Sequence, residues 1–291
     1  MRRSASGSGP SFLGVGPEKT GTTWVHAQLS EPSDVWLPPE KELRYFNMVR
    51  EVPGDNWLQR FSVMNDPRRS RYRAYLRRRI KHWLTHPLYP IRDTRQFRWD
   101  CDFVFREHDD DWYRTTFADR DEQVVGEVSP QYFFMTDEMV AHAASVAPEA
   151  RVLVTLRHPV DWIWSFARWF ARLGYIANDE QAMWRFIEQQ RGRSSFATAL
   201  DRWRAYFPDR VQVMFFDDLV ADPWDFYCRL CTWLEIEPDQ SQKPLVSKVV
   251  NPGRANNLPE GWHARIFELW ADDMAQLEDR VGPLPHGWRS R

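Results

Sequence analysis

Five short apolar runs, each followed by helical periodicity, constrain this chain more than any other feature. They are Ser11–Gly16, Asp34–Leu37, Gln123–Val128, Val152–Leu156 and Val211–Phe216. Strand signals alternating with helix signals predict a parallel sheet wrapped by helices. Val152–Leu156 is almost entirely apolar, as expected of a central strand covered on both faces. Phe196, Leu200, Trp203 and Phe207 recur at helical spacing, and Trp262, Ile266, Leu269 and Leu277 mark a C-terminal helix. Asp222-Pro223 reads as a helix start, with Asp as cap and Pro in the first turn, where its missing N–H costs nothing. One stretch breaks the rhythm. Between about Val49 and Arg120 there are helical patterns without a good strand, which predicts an insertion packed over one end of the sheet.

A chain of 291 residues, 43% hydrophobic and with 16 Trp, has ample material for one large α/β domain. Residues 1–10 are Ser/Gly-rich with no apolar core of a signal peptide, and are expected to be a disordered lead to a single domain over 11–291. No apolar run reaches the ~18 residues of a membrane span, so the expected compartment is the cytoplasm, with no transmembrane segment. The net charge of −2 argues against a nucleic-acid binder. Basic residues are nearly all Arg, a hint of a GC-rich bacterial genome. Cys101, Cys228 and Cys231 are too few and odd in number for a disulfide framework. Cys228 and Cys231 form a C-x-x-C inside a helical pattern, where buried helix cysteines are a better reading than a zinc or redox site.

The first run ends in Gly14-Val15-Gly16-Pro17-Glu18-Lys19-Thr20-Gly21-Thr22-Thr23-Trp24. A strand entering a Gly/Thr-rich loop and then a helix favours phosphate binding. The first N–H groups of a helix lack partners, the macrodipole is positive there, and glycine lets an anion approach the backbone. Lys19 adds a full charge and the threonines add hydroxyls. A Walker A loop would place its Lys after the second Gly; here Lys19 precedes Gly21. Arg157 emerges at the end of the fourth run, where open parallel sheets bind ligands, and Ser165 lies eight residues on in the next helical stretch. After the second run comes Pro38-Pro39-Glu40-Lys41-Glu42-Leu43-Arg44-Tyr45-Phe46, which by itself reads as a charged helix start.

Taken together, these segments resemble the PAPS-dependent sulfotransferases, in particular a bacterial, heparan-sulfotransferase-like branch (PAPS is 3′-phosphoadenosine-5′-phosphosulfate). Lys-Thr-Gly-Thr-Thr-Trp is similar to the family's 5′-phosphosulfate loop, and Arg-x-Pro…Ser is similar to its 3′-phosphate motif. The resemblance implies a three-layer, P-loop-like α/β fold and transfer of a sulfuryl group from PAPS, the co-substrate, to a hydroxyl or amine of a carbohydrate or small-molecule acceptor. No metal is implied. Glu42 falls on the family's catalytic base, and Lys19 on the residue that stabilises the leaving oxygen. Lys19, Thr20, Gly21, Thr22, Thr23, Trp24, Arg157 and Ser165 fall on donor-binding positions, with Gly253-Arg254 matching the nucleotide-binding tail loop. Three positions depart from the pattern: Trp162 replaces a second Arg, Arg44 a His, and Val128 a Lys. The Trp112–Phe117 and Glu127–Phe133 segments and the C-terminal half extend the resemblance along most of the chain.

Two other readings stay open. A P-loop kinase or nucleotide hydrolase fits the first loop but not the Lys order. A non-catalytic nucleotide-binding relative fits the departures at Trp162 and Arg44. Two features lie outside the motifs. Arg68, Arg69, Arg71, Arg73, Arg77, Arg78, Arg79 and Lys81 lie along a helical stretch whose apolar stripe is Tyr72, Leu76, Ile80 and Trp83. It reads as an amphipathic helix with a solvated basic face, or as a dock for an anionic acceptor or a membrane surface. His108-Asp109-Asp110-Asp111 reads as the cap of a helix beginning near Trp112 rather than as a metal site.

Overall fold

The computed structural model describes residues 9–49, 67–86, 93–118, 120, 122–247 and 258–288. Each of the five apolar runs forms a strand: β1 (Phe12–Gly14), β2 (Val35–Trp36), β3 (Val124–Val128), β4 (Arg151–Leu156) and β5 (Val211–Phe215). They make one sheet in the order β2-β3-β1-β4-β5, with every pair parallel. Parallel neighbours need crossovers, and the helices supply them. These are α1 (Thr22–Leu29), α2 (Pro67–Thr85), α3 (Thr94–Phe105), α4 (Asp110–Phe117), α5 (Asp137–Val146), α6 (Pro159–Arg172), α7 (Glu180–Arg191), α8 (Phe196–Tyr206), α9 (Phe216–Ala221), α10 (Pro223–Leu234) and α11 (Trp262–Val281).

Both faces of the sheet are covered, because successive strand side chains point to opposite sides. Val152, Val154 and Leu156 of β4 join one apolar cluster with Ile163 of α6, Trp203 of α8 and Ile266 of α11. Leu153 joins the other, with Trp24 and Val25 of α1 and Phe226 and Leu230 of α10. Full burial of such side chains contributes about 1.5–3 kcal/mol each, so the two clusters fix the three layers. The chain leaves β1 toward the β2 edge and leaves β4 toward β5. The carboxyl ends of β1 and β4 therefore flank the topological switch point, where doubly wound sheets form a crevice.

No strand occurs among the described residues of the 50–120 stretch, which holds α2, α3 and α4. Asp109 caps α4 by accepting from the Trp112 N–H at 2.7 Å, and the His108 ring stacks on Trp112. The packed face of α2 is shifted from the expected one, although Leu76 and Trp83 of the expected stripe are half-buried and packed. Ile80 is 41% exposed, whereas Tyr75 is buried. The cause is a polar anchor: Asp100 of α3 is fully buried, accepts from Tyr75 Oη and pairs with Arg79 Nε at 2.8 Å. A buried carboxylate must be satisfied, so it turns residues 75 and 79 inward. Asp222 caps α10 through the N–H groups of Trp224 and Asp225, and Cys228 and Cys231 lie unbonded on that helix. Gly9 and Pro10, at the end of the expected lead, are buried. Among the described residues no helix is long and apolar enough to cross a membrane.

Candidate active site

The phosphate-type loop folds back onto β4. Gly16 passes so close to it that a Cβ would stand 2.4 Å from the Thr155 backbone nitrogen, so only glycine fits there. Thr20 Oγ1 lies 2.6 Å from the Pro17 carbonyl oxygen, to which it donates, and 2.8 Å from Thr155 Oγ1. Lys19 has φ 71° and Gly21 φ 91°; the left-handed pair turns the chain sharply into α1. Gly21 is the N-cap and provides no side chain to the first N–H groups of α1. The hydroxyl expected to serve a ligand at Thr20 is thus turned inward, and Thr22 and Trp24 are also buried, Trp24 Nε1 donating to the Val246 carbonyl. What the loop presents is backbone N–H groups and the Lys19 ammonium.

Lys19 Nζ lies 5.8 Å from the centre of the Trp169 ring. Burial lowers its pKa, and the charges of Arg172, Arg157 and Arg168 lower it further. Arg157 leaves the end of β4 with its guanidinium 4.8 Å from the centre of the Phe216 ring. Burial lowers its pKa too, with Asp161 and Asp217 opposing. Like charges gather at a cost, which Glu18 offsets at Lys19 and Asp161 and Asp217 offset at Arg157. Ser165 lies on α6, on the same face as Arg168 and Arg172 by its spacing of three and seven residues. Arg168 and Arg172 were missed in the sequence reading, although that spacing was the signal. Trp162, at the position of the absent second Arg, is 2% exposed and donates from Nε1 to the Glu18 carbonyl at 2.9 Å.

Glu42 follows β2 in a short segment where both Glu42 (φ 62°) and Arg44 (φ 57°) are left-handed. Its carboxylate is gripped from both sides, by Lys41 Nζ at 3.0 Å and Arg44 Nη2 at 2.6 Å. Burial alone would raise its pKa, but Lys41 and Arg44 outweigh burial and hold it below the usual carboxylate range. Lys41 Nζ also donates to Thr23 Oγ1 at 3.1 Å, which links the Glu42 segment to the first turn of α1. Glu18 shows the reverse balance. Burial raises its pKa, backbone hydrogen bonding opposes, and the nearby Glu42 charge raises it further. Arg78 of α2 pairs with Glu40 at 2.7 Å, so the insertion grips the same segment.

The structure thus brings Lys19, Arg157, Arg168 and Arg172 into one electrostatic cluster, and joins Thr23, Lys41 and Glu42 by hydrogen bonds. Gly253 and Arg254 lie outside the described residues. Among the described residues no group of three or more His, Cys, Asp or Glu side chains is placed to hold a metal ion.

A family model described as "Sulfotransferase family" matches residues 10–240, from the entry to β1 to six residues beyond α10. The chain belongs to the sulfotransferase family. Solved sulfotransferases share its fold. A sulfotransferase from Alicyclobacillus acidocaldarius superposes with TM-score 0.60 at 19% identity, over 96% of this chain and 98% of that one. The sulfotransferase domain of the Synechococcus PCC 7002 olefin synthase gives 0.54 at 18% identity, over 96% and 97%. Mouse sulfotransferase SULT7A1, solved in complex with PAP, gives 0.51 at 10% identity, over 93% and 86%. No curated protein matches the chain by sequence.

Proposed function

We propose that this sulfotransferase uses PAPS as donor and moves its sulfuryl group to a hydroxyl or amine of a carbohydrate or small-molecule acceptor, releasing PAP (3′-phosphoadenosine-5′-phosphate). The observation that carries the donor reading is the convergence of Lys19 with Arg157, Arg168 and Arg172 beside an α1 N-terminus that Gly21 leaves without a side-chain cap. PAPS brings phosphosulfate and 3′-phosphate charge together, and these cations would neutralise both. The solved PAP complex of a protein with this fold supports the nucleotide assignment.

In this reading the loop N–H groups hold the 5′-phosphosulfate, and Arg157 with Ser165 holds the 3′-phosphate. Glu42 accepts the proton of the acceptor O–H or N–H as that atom bonds to sulfur. The bond between sulfur and the bridging oxygen breaks, and Lys19 stabilises the negative charge left on that oxygen as PAP departs. The needs are those of phosphoryl transfer: two atoms in line and stabilisation of spreading charge. No step requires a metal.

The test is the melting temperature with PAP, with ADP, and with ATP plus magnesium. A ligand at a hundred times its dissociation constant adds about 2.7 kcal/mol to native stability. A rise specific to PAP is expected; a rise only with ATP and magnesium would overturn the donor. Lys19→Ala should lower both PAP affinity and turnover. Glu42→Gln should keep PAP binding and lower turnover by roughly 100-fold or more, the size expected of a positioned base.

A further inference from the structure

The segment carrying Glu42 has no regular secondary structure of its own, yet its backbone is held at three successive N–H groups. The Leu43 N–H donates to Glu127 Oε2 at 3.2 Å, the Arg44 N–H to Ser129 Oγ at 3.5 Å, and the Tyr45 N–H to Tyr132 Oη at 2.8 Å. All three acceptors sit at or just beyond the carboxyl end of β3. They are joined to one another through Glu127. Tyr132 Oη donates to Glu127 Oε1 at 3.0 Å, Ser129 Oγ to Oε2 at 2.5 Å, and Tyr113 Oη of α4 to Oε1 at 2.6 Å. Glu127 is 1% exposed and its carboxylate oxygens accept four hydrogen bonds.

We propose that Glu127 is the positioning residue of the reaction, holding the left-handed Glu42–Arg44 backbone so that the Glu42 carboxylate faces the donor site. The role rests on Glu42 being the base. Left-handed conformations at two non-glycine residues are unfavourable and persist only where the surroundings impose them. A lysine or arginine grip on the side chain cannot do so, because it leaves the backbone free to rotate. Three fixed acceptors on consecutive N–H groups can. The end of β3 is a rigid place to hold them, since Glu127 and Val128 pair with Leu13 and Gly14 of β1 and the Ser129 N–H donates to the Gly14 carbonyl at 2.8 Å. The Glu127 oxygens are filled by Tyr113, Ser129, Tyr132 and Leu43, which suits a positioning role rather than that of a second base.

Glu127→Gln tests this at constant size. An amide group has one acceptor oxygen, so either the Leu43 N–H or the tyrosine pair meets an NH2 instead. Amide hydrogen exchange of the 43–46 peptide should rise by roughly tenfold or more, as when a charge-assisted hydrogen bond is lost, while the PAP-induced rise in melting temperature is retained. Turnover of PAPS, followed as PAP release with phenol, sugar and amine acceptors, should fall in kcat with the KM for PAPS unchanged. Unchanged exchange at 43–46, or an unchanged kcat, would overturn the role. If Glu127→Gln does not fold, Tyr132→Phe carries the same test by removing the acceptor of the Tyr45 N–H together with one of the four hydrogen bonds to Glu127. Failure of the underlying reading is distinct: there, Glu42→Gln would keep full turnover while exchange in the Glu127 variant still rose.

Discussion

Trp162 Nε1 donates to the Glu18 carbonyl oxygen at 2.9 Å, so the helix after β4 holds the loop after β1 through one indole. Trp162→Phe keeps most of the packing and removes this bond. We expect a loss of about 1 kcal/mol, which is ~2–4 °C in melting temperature for a domain approaching this size, and weaker PAP binding. Calorimetric titration of PAP into the variant checks it. Unaltered affinity would mean that the loop keeps its shape without Trp162.

Lys41 and Arg44 together set the acidity of Glu42. Burial raises the Glu42 pKa, and Lys41 and Arg44 bring it below the ordinary value. In the proposed mechanism Glu42 works only as a carboxylate, so activity is expected to disappear as pH falls through that pKa. Arg44→Met removes a depressing charge and should move the acid limb of kcat/KM upward, measurable as a pH–rate profile between about pH 4 and 8. The stability that the depressed carboxylate contributes, present above its unfolded pKa and lost as pH falls through the folded one, should shrink in the same variant. An acid limb that stays in place would separate Glu42 from the titration.

Glu18 has the opposite sign. Its folded pKa is raised, by burial first and then by the Glu42 charge, so the folded state holds the proton more tightly than the unfolded chain. Its ionisation therefore costs stability above the raised pKa and nothing below the unfolded one. Glu18→Gln should be more stable than the parent near neutral pH, with the gain disappearing toward pH ~4, and should bind PAP more tightly because a negative charge leaves the anion site. Urea unfolding at both pH values, with and without PAP, reads both effects. A variant less stable at neutral pH would show that the contacts of Glu18 outweigh its charge.

Gly16→Ala should fail where Gly192→Ala succeeds. A Cβ at Gly16 meets Thr155 backbone and side-chain atoms at 2.4 Å, while one at Gly192 meets nothing within 4 Å, and Gly192 has an ordinary φ of −75°. The first change should cost about 1–3 kcal/mol and abolish the PAP-induced shift, while the second should be near neutral. Thermal melts of both proteins in parallel decide it.

The five strands were legible because each is a compact apolar run, and two of the caps because Asp109 and Asp222 act within three residues of themselves. The loop and Arg157 were legible for the same local reason. The face of α2 was not, since periodicity favoured residues 72, 76, 80 and 83 and could not anticipate Asp100, a partner on another helix. The Glu127 hub was hidden more deeply: its members come from residues 43–45, 113, 127, 129 and 132, and only the fold makes them neighbours. Arg168 and Arg172 lay in plain sight at helical spacing from Ser165, but surface arginines on helices are common enough to be passed over.

Lys41 joins two separately built halves. On one side the loop between β1 and α1 is braced by Thr155 and Trp162; on the other the Glu42 segment is braced by Arg78 of the insertion and by the end of β3. The helices between residues 67 and 117 share one apolar cluster with β4 and α6 through Trp99, Phe103, Trp112, Tyr113 and Phe117, so a change of their packed faces reaches the sheet as well as the Glu42 segment. For protein engineering that leaves the solvent-facing side of α2, where Ile80 and Leu84 are exposed, as the place where the insertion can be altered without touching that cluster or the Lys41–Thr23 seam.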